Sequence, residues 1–224
     1  LDEDDFRRIL KADDGFLLKE LRKTEVGQKM TSVSDELGKS LKEAVADANA
    51  SSRLETTIDS YMYIFMDRTL GQVGGKEAAG IRHILKHEAD AKNAMIIERQ
   101  KRHGVPADKI RKSLIKGGTL SEQAINKLIE AKDVAATVHV LKQKFQNLEF
   151  KGEGRNALTE LEIALEKSIA LQKAHAFQRS VLSVGVMFGF LLLKEEEVNN
   201  LRKIAKGKEF RMQESDVRAM LVVV

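Results

Sequence analysis

An internal repeat restricts this chain more than any other feature. Residues 54 to 115 overlay residues 161 to 222 at a constant offset of 107. Leu54 and Glu55 fall on Leu161 and Glu162, Leu85 on Leu192, Glu88 on Glu195, Asn93 on Asn200, Ile97 on Ile204, Lys101 on Lys208, Arg111 on Arg218 and Leu114 on Leu221. Apolar character is kept at Ile58/Leu165, Ala91/Val198, Val105/Met212 and Ile110/Val217. Self-similarity at a fixed period marks a supersecondary block that stacks on copies of itself. A second overlay sets residues 1 to 22 on residues 120 to 141 at an offset of 119, with Leu1 on Leu120, Glu3 on Glu122, Ala12 on Ala131 and Asp14 on Asp133. The offsets differ because the connectors do: residues 23 to 53 number 31, and residues 142 to 160 number 19. The expected organisation is the second half of unit one with its connector (1–40), all of unit two (41–148) and unit three (149–224). The part of unit one that would match residues 54 to 119 is expected to be missing ahead of Leu1.

The repeated block reads as helix. One Pro and 5% aromatic residues, against abundant Lys, Glu, Ala, Leu and Ile, fit helices and lack what builds sheets. Ala91, Ala94, Met95 and Ile97, and later Val198, Leu201, Ile204 and Ala205, recur at three- and four-residue steps, with Lys and Arg on the other face. Gly104, Val105 and Pro106 stop that helix and start the next, which Gly117 and Gly118 end. Thr119 with Glu122 offers a capping box for a helix carrying Leu120, Ala124, Ile125, Leu128 and Ile129. Gly-containing stretches 23–40 and 147–156 read as joints. Val181 to Leu193 is apolar over thirteen residues. A membrane span needs about 20, so a buried core helix is expected there. Leu221 to Val224 is expected to pack against something.

Composition removes several chemistries. There is no Cys, hence no disulfide framework, thiolate metal site or cysteine nucleophile, and a cytosolic face is the default compartment. The 38 Lys and Arg against 34 Asp and Glu leave +4, too small for the single-sign field of a dedicated nucleic-acid binder. His83 and His87 stand four apart beside Glu88 and could face one metal from a helix. Their unit-three counterparts are Phe190 and Lys194 and no third His or Cys is near, so an ordinary histidine pair is expected. His103, His139 and His175 are isolated. Gly71, Gly74, Gly75 and Lys76 lack the phosphate-loop spacing, and Glu77 stands where a Ser or Thr must coordinate magnesium. Glu195, Glu196 and Glu197 read as the favourable first turn of a helix. Basic side chains recur on the same element of both units, as Arg99, Lys101, Arg102 and as Lys206, Lys208, Arg211. Phe210 is the one aromatic beside them, so no stacking platform for nucleic acid is formed.

The stretch Leu191 to Lys208, with its Glu-Val-x-Asn-Leu-Arg-x-Ile-Ala-x-Gly-Lys core, and the ending Glu214 to Arg218 with a short apolar close resemble the C subunit of archaeal and bacterial A/V-type ATP synthases, a relative of the d subunit of the vacuolar ATPase. Asn93, then Ile110 and Arg111, then Leu120, Ser121 and Glu122 carry the same order in unit two, although Gln100 stands where unit three has Gly207. The resemblance implies an all-α, funnel-like, pseudo-threefold arrangement of related units, the first incomplete. It implies a non-catalytic coupling subunit on the cytoplasmic face of the membrane, between the proteolipid rotor ring and the central-stalk subunits (D- and F-type), in a machine moving protons or sodium ions. No catalytic residue, cofactor, metal or nucleic acid is implied. Arg99, Lys101, Arg202, Lys206 and Lys208 are expected at partner-facing or inter-unit contacts, with Asn93, Asn200 and Arg202 alternatively holding helices together. The competing readings are a generic helical-repeat adaptor and a metal enzyme at His83, His87 and Glu88.

Overall fold

A computed structural model describes residues 50–145, 147–150, 152, 156–179 and 184–223. Every regular element among them is a helix: α1 (Ala50–Val73), α2 (Gly75–Arg102), α3 (Ala107–Lys112), α4 (Glu122–Glu130), α5 (Val134–Leu141), α6 (Ala157–Arg179), α7 (Val184–Glu209) and α8 (Glu214–Met220). Residues 1–49, which include the expected half of unit one, lie outside the described residues.

The long helices pack as antiparallel neighbours. The chain reverses between α1 and α2 at Gly74 and Gly75, whose φ values of 70° and 83° favour glycine. Asp67 pairs with Arg82 at 2.8 Å and Asp59 with Lys92 at 3.0 Å, two bridges that step away from the turn together. In the same sense Lys173 meets Glu196 and Glu166 meets Lys203 between α6 and α7. Helix α6 also lies antiparallel on α2, through Glu88 with Lys173 and Arg99 with Glu162.

Two apolar cores result. One gathers Ile97, Leu128, Leu141, Phe145, Leu161 and Leu165 from α2, α4, α5, α6 and the turn after α5. The other gathers Tyr63, Leu70, Ile81, Leu85, Ala89 and Ile115 between α1, α2 and the loop after α3. The three- and four-residue spacing of Ala91, Ala94, Met95 and Ile97 is met by burial of all four. On the other face of α2, Lys92 and Arg99 stay exposed, because burying a charge costs its hydration.

Several local expectations change. The N-cap of α4 is Ser121, whose Oγ accepts from the Ala124 amide, because Thr119 is engaged with Asp90. Glu195 to Glu197 sit in the middle of α7, since nothing between Leu193 and Glu195 breaks the helix that the apolar run begins. That run is not a buried core helix throughout: Met187, Phe190 and Leu191 are exposed. At the chain end Val222 is buried while Val223 is open.

Candidate functional site

The geometry centres on how each long helix grips the segment that follows it. Asn93, buried on α2, donates from Nδ2 to the Ile115 carbonyl at 2.9 Å and accepts at Oδ1 from the Ile115 amide at 2.7 Å. Asn200 on α7 does the same to Val222, at 2.7 and 3.0 Å. Both partners are offset by 107, so the sequence repeat is also a repeat of hydrogen bonding. A carboxamide carries one donor and one acceptor face, which is what a free peptide unit outside helix or sheet requires.

Around the first clasp further polar groups are engaged. Asp90, fully buried, accepts from the Thr119 and Leu120 amides and from Thr119 Oγ1, with Lys144 Nζ 3.4 Å away. A side chain on Gly118 would enter the Asp90 carboxylate, with Cβ 2.1 Å from Oδ1. An open cleft of about 570 Å³ beside this joint is lined by Asp90, Asn93, Arg111, Leu114 and Ile125 among others. Its wall supplies hydrogen bonds that hold the loop, not a nucleophile with a base beside it.

Between the long hairpins lies a charge cluster. Lys173 is fully buried, 2.8 Å from Glu196, 3.2 Å from Glu88 and 3.7 Å from Glu195. Glu88 and Glu195 are repeat counterparts, so one lysine bridges the same position of both units. Burial alone would lower the Lys173 ammonium, but Glu88, Glu196 and Glu195 outweigh it and hold it above the ordinary lysine value. Burial pushes the Glu88 carboxyl up, against the pull of Lys173. The periodicity of Leu161, Leu165 and Ile169 makes position 173 a core position of α6. A lysine there is the signal that sequence reading passes over, because its counterpart in unit two is Met66.

The five basic residues singled out from the sequence are not brought to one place. Arg99 pairs with Glu162 of α6 at 2.6 Å and is half exposed. Lys101 is turned inward, donating to Glu98 at 2.7 Å and to the Leu128 carbonyl at 3.0 Å. Glu98 in turn accepts from Thr137 Oγ1 at 2.7 Å. Arg202, Lys206 and Lys208 are exposed on α7, Arg202 reaching Asn199 at 3.4 Å. Lys203, not anticipated, ties α7 to Glu166 and to the Met220 carbonyl.

The histidine pair does not complete a metal centre. The His83 and His87 rings are 4.1 Å apart by centroid, but Glu88 points to Lys173. No group of three His, Asp or Glu side chains suited to a metal converges among the described residues. His87 is buried against Phe145, and burial, then His83, push it below the ordinary histidine value against the pull of Asp90. Among the described residues no helix is long and apolar enough to cross a membrane.

The described part is thus an all-helical body built from a repeated hairpin-and-clasp unit. The chain belongs to the family of ATP synthase (C/AC39) subunits, whose model matches residues 1–220. That family is a structural, non-catalytic component of its complex. Similar proteins include the C subunit of the A-type ATP synthase of Pyrococcus abyssi, 31% identical over 137 residues, 59% of this chain and 37% of that protein. The C subunit of the A-type ATP synthase of Halobacterium salinarum is 29% identical over 186 residues, 76% of this chain and 50% of that protein. The corresponding protein of Methanocaldococcus jannaschii is 24% identical over 216 residues, 92% of this chain and 54% of that protein. The chain therefore spans about half the length of these curated relatives or less. No solved structure matches it.

Proposed function

We propose that this chain acts as the coupling subunit of an A-type rotary ATP synthase, seated peripherally on the cytoplasmic side between the membrane proteolipid ring and the D- and F-type stalk subunits. The observation that carries this reading is the family match along residues 1–220. In this reading the units run 41–148 and 149–224, with 1–40 the remainder of a first unit, in a funnel-like pseudo-threefold arrangement.

Mechanical coupling needs a body that does not shear when pushed at one end. Supporting it, α2 and α6 are cross-tied by Glu88–Lys173 and Arg99–Glu162, and each unit locks its trailing segment with a two-way asparagine clasp. Such buried polar ties fix one register between helices, since every sliding displacement leaves charges and amides unpaired. Arg99 and Lys101 serve contacts within the chain. Arg202, Lys206 and Lys208 are the members of the basic set that face a partner.

Binding of the purified chain to a detergent-solubilised proteolipid ring tests this directly. Co-elution is expected, weakened by Arg202→Glu with Lys206→Glu, and the difference between variant and parent should shrink as salt is raised. A chain that ignores the ring and binds only a soluble protein is a helical-repeat adaptor, and this reading fails.

A further inference from the structure

The two asparagine clasps share their hydrogen bonding but not their charge. Pro106 to Lys116, around the first clasp, overlays Gln213 to Val223, around the second, at the repeat offset of 107. The first stretch carries Lys109, Arg111, Lys112 and Lys116 against Asp108, a net +3. The second carries Arg218 against Glu214 and Asp216, a net −1. Lys112 stands in place of Ala219, and Lys116 in place of Val223. Ala107 stands where Glu214 holds Arg218 at 2.7 Å across one helical turn. Asn93 and Asn200 grip the same backbone position in both copies, so the joint itself does not require this charge.

The added cations gather on the open cleft of about 570 Å³ beside the first clasp, whose size is that of ordinary ligand clefts. Arg111, Lys112 and Lys116 all line it. Lys112 and Lys116 are exposed and have no carboxylate partner among the described residues. Arg111 bonds Asn126, and Glu122, 3.9 Å from it, is 87% exposed. An ion pair so open to water contributes little, which leaves the guanidinium free to meet a further anion. The other acid on the lining, Asp90, is fully buried and already engaged by Thr119, Leu120 and Lys144. The cleft therefore presents positive charge to solvent.

The same lining has an apolar part, formed by Leu114, Leu120 and Ile125, each half-buried. Cations beside apolar side chains select a ligand that brings carboxylates and apolar groups together, and an acidic stretch of polypeptide does so. A free inorganic anion would meet the cations and leave Leu114, Leu120 and Ile125 uncovered. A flat anionic membrane surface would meet the exposed lysine heads without entering the cleft.

We infer that the cleft flanked by α3 and α4 docks an acidic segment of another protein. Its carboxylates meet Arg111, Lys112 and Lys116, and its apolar side chains lie on Leu114, Leu120 and Ile125. The corresponding joint at α8, with the opposite charge, does not share this property. The site is separate from Arg202, Lys206 and Lys208 on α7 and does not depend on their role.

The test is a fluorescein-labelled peptide, Glu-Glu-Leu-Glu-Glu-Leu-Glu-Glu, titrated into the full 224-residue chain at low salt and followed by anisotropy. Saturable binding of one peptide per chain is expected, weakening as salt is raised. Lys112→Glu with Lys116→Glu should weaken it about tenfold or more. Lys206→Glu with Lys208→Glu changes the net charge equally and should leave binding nearly unchanged. All four lysines are exposed, and unfolding midpoints equal to the parent's establish that both variants fold. Exchanging the two leucines of the peptide for serine should also weaken binding. The inference is overturned by absence of saturable binding, by equal weakening in the two variants, or by indifference to the leucine exchange. Displacement of the peptide by inorganic phosphate, but not by chloride at the same ionic strength, would mark a small-anion site and overturn it too. So would a chain that ignores the peptide yet binds phosphatidylglycerol vesicles through Lys112 and Lys116.

Discussion

Asn93 and Ile115 hold each other by two hydrogen bonds, Asn93 Nδ2 donating to the Ile115 carbonyl and the Ile115 amide donating to Asn93 Oδ1, and the pair is buried. Asn200 and Val222 repeat the arrangement with more solvent around it. Asn93→Ala leaves both backbone groups of Ile115 unpaired in the core, and each such group costs about 1–3 kcal/mol. A loss of about 2–4 kcal/mol in urea unfolding is expected for Asn93→Ala, and about half that for Asn200→Ala. Equal, small effects at both sites would mean that water replaces the clasp in each.

Lys173→Met removes the cation that stands between Glu88, Glu195 and Glu196. Breaking one side of a buried ion pair typically costs about 3–5 kcal/mol, because the remaining charge keeps its desolvation penalty. The triple variant Lys173→Met, Glu88→Gln, Glu196→Gln should recover most of that loss in chemical denaturation. A single variant as stable as the parent would show the carboxylates to be solvated.

Gly207 is where α7 touches α8: a Cβ there would sit 2.5 Å from Val217 Cγ2. Gly207→Ala should destabilise the chain by about 1–3 kcal/mol through overpacking. Val217→Ala in the same chain should remove most of the penalty, which a purely intrinsic helix-propensity effect would not allow. Thermal unfolding of the two single variants and the double variant measures the coupling.

His87 sets a pH dependence whose sign follows from its lowered proton affinity in the folded state. In the unfolded chain an imidazole binds a proton near pH 6.5. Below that pH the unfolded state holds the extra proton, so stability is full above about 6.5 and declines as the pH falls towards the folded value. The groups facing it are His83, Asp90 and Lys144. Glu88, raised in the folded state, contributes the opposite slope at lower pH. Comparing His87→Leu with the parent cancels Glu88 and should flatten the decline between pH 6.5 and 5. An unchanged slope would assign it elsewhere.

The sequence is most legible where geometry is local or repeated. The helical period of Ala91, Ala94 and Ile97, the stop at Gly104 with φ 67°, and the pairing of Asn93 with Asn200 can all be read from spacing. Charges are the least legible. Arg99 and Lys101 resemble any solvated basic face until Glu162 and the Leu128 carbonyl arrive from elsewhere in the chain, the latter joining Glu98 of the same helix around Lys101. Lys173 escapes notice for the same reason, since its three carboxylates come from two other helices. The acidic run at Glu195 looks like a helix start because the apolar run before it looks like a separate element. Both belong to α7, whose two halves meet different surroundings.

Joining two parts of a rotary machine is the role proposed for this chain, and it can be reconstituted. Purified proteolipid ring, immobilised in detergent, and a soluble complex of the D- and F-type stalk subunits should be mixed with and without the chain. The expected result is that the stalk is retained on the ring only when the chain is present, with all three in fixed proportion. Stalk retained equally without the chain, or a chain that binds neither component, would contradict it.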